Sequence, residues 1–226
     1  MKLLIGIFVY TFCFCYSIAS NAGISLGVTR VILDEGKKES SVVVRNDDRN
    51  PAVVQSWIEK DDGGDSGNVV VFPALTKISS DGKQVLRIAY SGQGLPQDKE
   101  SLFWLNVQHV PPVSEKQLAG KSVLQVAVRQ TIKVFYRPKA LKDKSTNTVS
   151  GLVFTRTIDG VRVSNPGPYF VSFFDMKADG KQVLRSGMVA PRAYKDIKVS
   201  LKHVRTMTFF RINDSGGEDQ VTAPLL

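Results

Sequence analysis

A lysine inside an apolar stretch is the first sign of binding chemistry in this chain. Residues 122–137 read SVLQVAVRQTIKVFYR, and Lys133 stands between Ile132 and Val134. An ammonium group in apolar surroundings is costly to bury unless an anion meets it. The chemistry that this pattern indicates is the capture of a carboxylate, and we expect another chain to supply it.

The element that must position Lys133 is a strand predicted over residues 123–136. Apolar and polar side chains alternate along its first half, so that one row points to one face. That row consists of Leu124, Val126 and Val128. The other row contains Val123 and Ala127, so both faces could contact protein. We interpret the strand as a surface that pairs with another chain; a strand buried in its own domain is the alternative.

The spacing of the lysine and the apolar row raises a geometric question. Lys133 has the opposite parity to Leu124, so a regular strand would direct the lysine away from the apolar row. A bulge or a strong twist between Val128 and Lys133 would reconcile the two positions.

The N-terminal segment predicts export from the cytoplasm. Lys2 is followed by an apolar run and then by Ser20, Asn21 and Ala22, which suit cleavage by a signal peptidase. The run is too short for a comfortable membrane span, although an uncleaved anchor is the alternative. Both cysteines of the chain lie in this segment, so the mature protein would use no disulfide and must rely on its core.

Charge and composition exclude some functions. The formal net charge is +9, but Lys and Arg are scattered among Asp and Glu, without a basic helix or an RNA-binding aromatic box. We therefore predict no nucleic-acid partner. An acidic protein partner, or general solubility, accounts for the charge more simply.

Short β-rich runs separated by turn residues predict an all-β chain, since helical periodicity is almost absent. The first set of predicted strands covers residues 25–33, 40–45, 53–59, 68–72, 84–89, 101–110 and 123–136. The second covers residues 152–157, 161–164, 169–175, 188–190, 196–201 and 207–212. The first set suggests an immunoglobulin-like sandwich and the second a further sandwich. We expect the tail after Asp214 to be mobile.

Catalytic constellations are missing from the sequence. His109 at a strand end is best interpreted as structural, and no nucleophile elbow or phosphate loop occurs. Residues 61–65, DDGGD, resemble a calcium loop only superficially, and a solvated hairpin is the better interpretation. Trp57 predicts a buried packing residue, with ligand stacking as the alternative. We predict no enzyme activity, no metal and no cofactor.

Several segments together resemble one known family. Residues 97–112, QDKESLFWLNVQHVPP, and residues 123–138, VLQVAVRQTIKVFYRP, closely resemble the signature of the periplasmic pilus chaperones. ISLGVTRVI, SNPGPYFVS, MVAPR and INDSGG agree with other landmarks of the family and occur in its order. The resemblance covers nearly all of residues 23–226.

The resemblance implies a fold and a function. The fold is two immunoglobulin-like β-sandwich domains arranged in an L, or boomerang. The function is to hold pilus (fimbrial) subunits in the periplasm by lending them a strand, and to deliver them to an outer-membrane usher. No cofactor and no small-molecule substrate are implied.

The resemblance also assigns roles to residues. Arg30, in GVTR, and Lys133, in IKVFYR, match the two cations that anchor the C-terminal carboxylate of a subunit. Leu124, Val126 and Val128 match the donor row that enters the open groove of the subunit. Without the resemblance, Arg30 would be interpreted as an ordinary surface arginine.

The sequence also predicts that the chain consists of a signal peptide and two domains. We expect a signal peptide over residues 1–22, an N-terminal domain with the donor strand over residues 23–140, and a C-terminal domain over residues 141–226. The loop over residues 113–122 is short and typical of the short-loop branch of the family. A pilus subunit or adhesin is one alternative, although such proteins usually carry a disulfide. An enzyme acting on the cell envelope is the other.

Overall fold

The computed structural model describes residues 23–92, 94–110, 126–141, 151–199 and 204–226. Apart from a short 3₁₀ helix at Lys139–Leu141, the regular elements there are all β-strands. The strands of the first half are β1 (Ile24–Leu26), β2 (Arg30–Asp34), β3 (Ser40–Asn46), β4 (Ala52–Lys60), β5 (Val69–Phe72), β6 (Leu75–Ile78), β7 (Lys83–Tyr90), β8 (Ser101–Val110) and β9 (Arg129–Arg137). Those of the second half are β10 (Val153–Thr157), β11 (Gly160–Asn165), β12 (Val171–Ala178), β13 (Lys181–Val189), β14 (Ala193–Lys198), β15 (Thr206–Ile212) and β16 (Glu218–Pro224).

The first half folds as a sandwich of two sheets. One sheet has the strand order β1-β3-β7-β5, and the other has the order β2-β9-β8-β4-β6. Alternate residues of both sheets point inward, and Val44, Leu86, Leu105 and Val134 are fully buried between them. This alternation is why the sequence pattern located most of these strands.

The predicted strand over residues 25–33 is divided in the structure. β1 pairs with β3 in one sheet, whereas β2 pairs with β9 in the other. The chain changes sheets between Leu26 and Arg30, where Gly27 donates a backbone hydrogen bond to Val43. The prediction of one continuous strand was wrong, because a strand that crosses from sheet to sheet keeps its apolar pattern on both sides of the break.

The second half is also a sandwich, and the predicted all-β, two-sandwich fold is confirmed. Its sheets have the orders β10-β11-β14 and β13-β12-β15-β16. Phe154, Phe173 and Phe209 meet in its core, with ring centroids 5.7 and 5.9 Å from the central Phe209.

The tail expected to be mobile is strand β16. It pairs with β15 from Thr206 and Pro224 to Ile212 and Glu218, and Leu225 continues as a bridge to Phe154. Val221 packs against the core, although every second residue of the strand is exposed. β6 was also missed, and β13 was predicted only at its end.

Two further predictions for the first half need correction. Trp57 is only half-buried, because its ring lies on the outer face of the β4 sheet, away from the core that Ile58 and Ser56 face. The long predicted strand of residues 123–136 is strand only from Arg129 in the structure. Residues 123–125 lie outside the described residues, as do residues 1–22 and most of the loop before β9.

Within the described residues, no helix has the length and the apolar character needed to cross a membrane.

Truncation of the chain after Gly217 tests the role of β16. Removal of this strand would expose Met207 and Phe209, which are buried to about 1% exposure or less, so we expect a clearly lower melting temperature of the second sandwich. Differential scanning calorimetry measures the change. Ile158→Ala is the matched control, because this side chain is fully exposed and its loss should leave the transition in place. A truncated chain as stable as the full one would contradict the assignment.

Candidate functional site

The site begins where β2 joins β9. The two strands are parallel, and their pairing runs from Arg30 and Lys133 to Asp34 and Arg137. On its other side, β9 pairs with β8 along its whole length. Before Lys133, none of the described strands pairs with β9 on the β2 side. A length of strand edge is therefore open, and it ends at the first residue of β2.

The apolar row passes from the core to the solvent along β9 and the three residues that precede it, Val126 to Val128. Val134 is fully buried and Ile132 packs against the core, whereas Val128 is 52% exposed and Val126 is 63% exposed. These four residues share one parity and therefore one face of the strand. The row thus leaves its own domain, which argues against the alternative of a strand buried in the core. Leu124 lies outside the described residues.

No bulge separates the apolar row from Lys133. The register between β8 and β9 is unbroken from Arg129 to Tyr136, and His109 donates a backbone hydrogen bond to Val128 one step further. A bulge therefore does not reconcile the two positions between Arg129 and Lys133. Within β9, Lys133 faces the side opposite to Ile132 and Val134, and the row of Val126 and Val128 precedes the strand.

Arg30 is buried and held by groups without charge. Its side chain donates a hydrogen bond from Nη1 to the carbonyl oxygen of Ile212 at 2.9 Å, and its guanidinium carbon lies 5.7 Å from the ring centre of Phe135. The buried Nε has no hydrogen-bond partner among the described residues. Burial lowers the pKa of Arg30, and the more distant charges of Asp214 and Glu100 oppose that shift. An unpaired donor on a buried cation is costly, so an acceptor that bonded to it would stabilise the site.

Lys133 is the register partner of Arg30, and it is also a cation without a carboxylate. Its ammonium nitrogen lies 5.5 Å from the ring centre of Trp104, on the opposite side of β9 from Arg30. The salt bridges formed by the described part of the chain do not include Lys133. Partial burial lowers the pKa of Lys133, and the positive charge of Arg30 lowers it further.

A cleft between the two sandwiches opens beside these cations. It has a volume of about 420 Å³, and Arg30 and Phe135 line it together with residues of the β15–β16 hairpin. Lys133 is not among the lining residues, so it lies next to the cleft and not inside it. The predicted anchor pair is therefore close together, but only Arg30 faces the cavity.

Arg137 also lines the cleft, and its charge is neutralised. Arg137 bonds to Glu100 at 2.8 Å and, through its two terminal nitrogens, to both oxygens of Asp214 at 2.7 and 3.0 Å. The second oxygen of Glu100 accepts a hydrogen bond from the backbone nitrogen of Phe170 at 2.8 Å. These bonds connect the first sandwich to the second, so they fix the walls of the cleft.

The titration of this cluster follows from its burial and its partners. Burial raises the pKa of Glu100, although the charge of Arg137 and the bond from Phe170 oppose the rise. Burial would lower the pKa of Arg137, but the hydrogen bonds and charges of Asp214 and Glu100 outweigh burial and raise it. Arg137 therefore stays charged and is already paired, unlike Arg30 and Lys133.

These three residues did not stand out in the sequence as candidates for a site. Glu100 opens the ESLFW segment, Arg137 ends KVFYR, and Asp214 lies in INDSGG. Arg137 follows Lys133 by four residues in β9, so the two side chains have the same parity. Arg137 must therefore lie on the same outer face of the sheet as Lys133. That signal could have found Arg137, but its partners are 37 and 77 residues away along the chain.

Arg137→Met should destabilise the protein strongly, because it leaves the buried carboxylate of Glu100 without its cation. We expect a loss of about 3–5 kcal/mol in the free energy of unfolding, measured by urea denaturation. Arg162→Met is the matched control, since the Arg162–Asp196 pair is exposed and solvent screens such a pair, so that its loss should change stability little. Equal effects of the two substitutions would show that the buried cluster has no special role in stability.

Both halves of the chain match one known protein family. Residues 23–142 match the family described as "Pili and flagellar-assembly chaperone, PapD N-terminal domain", and residues 147–223 match "Pili assembly chaperone PapD, C-terminal domain". The chain therefore belongs to the PapD family of pilus-assembly chaperones, as its sequence motifs predicted.

Individual relatives agree with this family. The chaperone protein FocC of Escherichia coli is 37% identical over 207 residues, which cover 90% of each chain. The crystal structure of the E. coli chaperone DraB has a TM-score of 0.79 and 28% identity, and covers 90% of this chain and 96% of DraB. The Salmonella enterica SafA pilin in complex with the SafB chaperone provides a match with a TM-score of 0.81 and 27% identity, covering 89% of this chain and 96% of the matched chain.

Proposed function

We propose that this protein is a periplasmic chaperone that binds pilus subunits through β9 and holds them by donor-strand complementation. The observation that carries the proposal is the open edge of β9. An apolar row leaves its own core there. No strand of the described residues occupies the position beside the edge before Arg30, which we call the vacant lane. Arg30 and Lys133 stand at the end of this lane, and neither has a carboxylate partner in the described part of the chain.

The vacant lane also sets the direction of the guest strand. β2 occupies the same lane from Arg30 onward and runs parallel to β9. A guest strand that ends at Arg30 with its C-terminal carboxylate must therefore run parallel to β9 as well. Backbone hydrogen bonds along the edge would supply affinity, and the side chains of the apolar row would enter the open groove of the guest.

The anchor chemistry supports Arg30 and Lys133 as receptors for the carboxylate. Arg30 offers a buried donor without a partner, and Lys133 offers an ammonium that no carboxylate of the described residues neutralises. A carboxylate that bonds to both would relieve their mutual repulsion and would fix the register of the guest strand.

The apolar row supplies the remaining affinity. Complete burial of Val126 or Val128 would contribute about 1.5–3 kcal/mol each, before the cost of ordering the strands. Leu124 belongs to the same row in our proposal, and it would add a similar amount.

We also propose how the protein reaches its compartment and what it does with a bound subunit. Residues 1–22 act as a signal peptide that is cleaved on export to the periplasm. Residues 23–140 form the N-terminal domain with the donor strand, and residues 141–226 form the C-terminal domain. The complex with a subunit is delivered to an outer-membrane usher, where the extension of another subunit replaces β9. Affinity purification from the periplasm, with mass spectrometry of the bound proteins, tests whether pilus subunits and an usher accompany the chain.

Arg30→Ala and Lys133→Ala should each abolish the recovery of subunits on the purified chaperone. Each substitution removes one of the two charges that meet the carboxylate, while most of the core remains intact. Co-purification of subunits, quantified by mass spectrometry, is the measurement. Arg129→Ala removes a charge from the same face of β9 and should leave recovery near the native level. Normal recovery with both anchor variants would refute the anchor.

Val126→Glu should weaken subunit capture by placing a charge in an apolar groove. The expected loss of affinity is at least tenfold, because an unpaired buried carboxylate costs several kcal/mol in the complex. A binding titration with a purified subunit measures it. Val153→Glu is the matched control, since Val153 is a partly exposed valine of β10 in the other sandwich. Unchanged affinity for the Val126 variant would remove this residue from the donor row.

A further inference from the structure

The cations around the cleft are held in two different ways. Arg137 is neutralised by the carboxylates of Glu100 and Asp214. It also lies 5.3 Å from the ring centre of Tyr169, so this aromatic contact adds to its ion pairs. Arg30 and Lys133 lie against the aromatic rings of Phe135 and Trp104, at 5.7 and 5.5 Å, and neither forms a salt bridge among the described residues. Aromatic rings attract a cation without cancelling its charge. The two cations that have no carboxylate partner among the described residues are the two that the proposed function assigns to the guest carboxylate.

Trp104 is placed by two independent constraints. Its backbone pairs with Lys133 across β8 and β9, so the two side chains lie on the same outer face of the sheet. Its indole nitrogen donates a hydrogen bond of 2.9 Å to the carboxylate of Asp61, in the turn after β4. The ring is therefore fixed from one side by Asp61, and its face is presented to the ammonium of Lys133.

The position of Trp104 also separates two like charges. The strand order is β2-β9-β8, so Arg30 and Trp104 are on opposite sides of Lys133. When Lys133 lies over Trp104, its ammonium is drawn away from Arg30. An acidic side chain in the place of Trp104 would hold Lys133 equally well, but it would satisfy the charge that the guest carboxylate needs.

We infer that Trp104 is a positioning residue for carboxylate capture, and this inference rests on the proposed function. The indole face keeps the ammonium of Lys133 charged, ordered and free of a carboxylate at the end of the vacant lane. The C-terminal carboxylate of a guest strand then binds an ammonium that is already in place. Without the ring, Lys133 has to be ordered at the moment of binding, and part of the anchoring energy is lost.

The chain contains a matched control for this role. Trp57 lies on the same outer face, where its ring centre is 5.8 Å from the guanidinium carbon of Arg129. Its indole nitrogen donates to Glu59 at 2.6 Å, much as that of Trp104 donates to Asp61. Trp57 thus makes the same kind of contact with a cation outside the anchor pair. Trp57→Leu reproduces the loss of an indole from this surface without touching Lys133.

The experiment measures the affinity of the full mature chain for two synthetic peptides. Both have the same strand-forming sequence of alternating valine and threonine or serine, and they differ only in ending with a free carboxylate or with an amide. We expect the native chain to prefer the acid peptide. Trp104→Leu should weaken binding of the acid roughly 3- to 30-fold, the range of a cation–π contact, and should leave binding of the amide unchanged. Trp104→Phe should bind the acid peptide with an affinity between those of the native chain and Trp104→Leu. Trp57→Leu should keep the native preference for the acid.

The outcomes separate the inference from the proposed function. If the native chain binds acid and amide equally, the carboxylate anchor fails and the role of Trp104 falls with it. If the native chain prefers the acid and Trp104→Leu retains the full preference, only the role of Trp104 is overturned. Equal weakening of both peptides by Trp104→Leu would also overturn it, because a merely structural tryptophan would act in that way.

Discussion

The start of the parallel pairing between β2 and β9 is the constraint on which the rest of this structure depends. Because β2 begins at Arg30, opposite Lys133, no strand of the described residues fills the lane beside the first half of β9. The same break in the chain that moves β1 to the other sheet creates that vacancy. The break between β1 and β2 therefore leaves an edge of β9 exposed, together with the apolar row that borders it. The same break places Arg30 at the end of the lane.

The cations around the cleft differ in their partners. Arg137 has two carboxylate partners and ties one sandwich to the other, whereas Arg30 and Lys133 contact aromatic rings and, for Arg30, a carbonyl, without a salt bridge among the described residues. Under the proposed function this difference has a physical reason, because a buried ion pair is costly to break and a cation that binds a ligand must remain unpaired. The carbonyl that orients Arg30 comes from Ile212 in the second sandwich. The junction held by Arg137 therefore also decides the orientation of Arg30.

The sequence predicted the fold class and most strands, because alternation along a strand is a local signal. β8 was predicted over residues 101–110, the range that it has in the structure. β16 was missed because EDQVTAP is an edge strand with polar residues on its exposed side, which resembles a loop. Trp57 was misassigned because a large aromatic residue suggests a core, while its parity places it outside.

The candidate site was predictable only in part. Lys133 drew attention as a cation in an apolar run, but Arg30 was found through the resemblance to a family, since its burial depends on contacts with Ile212 and Phe135. Glu100 and Asp214 could not be linked to Arg137 by any local pattern, because their contacts join distant parts of the chain. The contact of Lys133 with Trp104 likewise requires the register of β8 and β9, which sequence alone does not supply.

The open edge of β9 is also a danger to the protein that carries it. An unpaired strand with exposed valines is a template on which two free copies could aggregate. Arg129 and Lys133 punctuate this strand, so a second copy that stacked against it in register would bring like charges together, and the net charge of +9 adds repulsion between whole molecules. If β9 is the strand that is lent, as we propose, its basic residues also act as gatekeepers that oppose pairing between free copies.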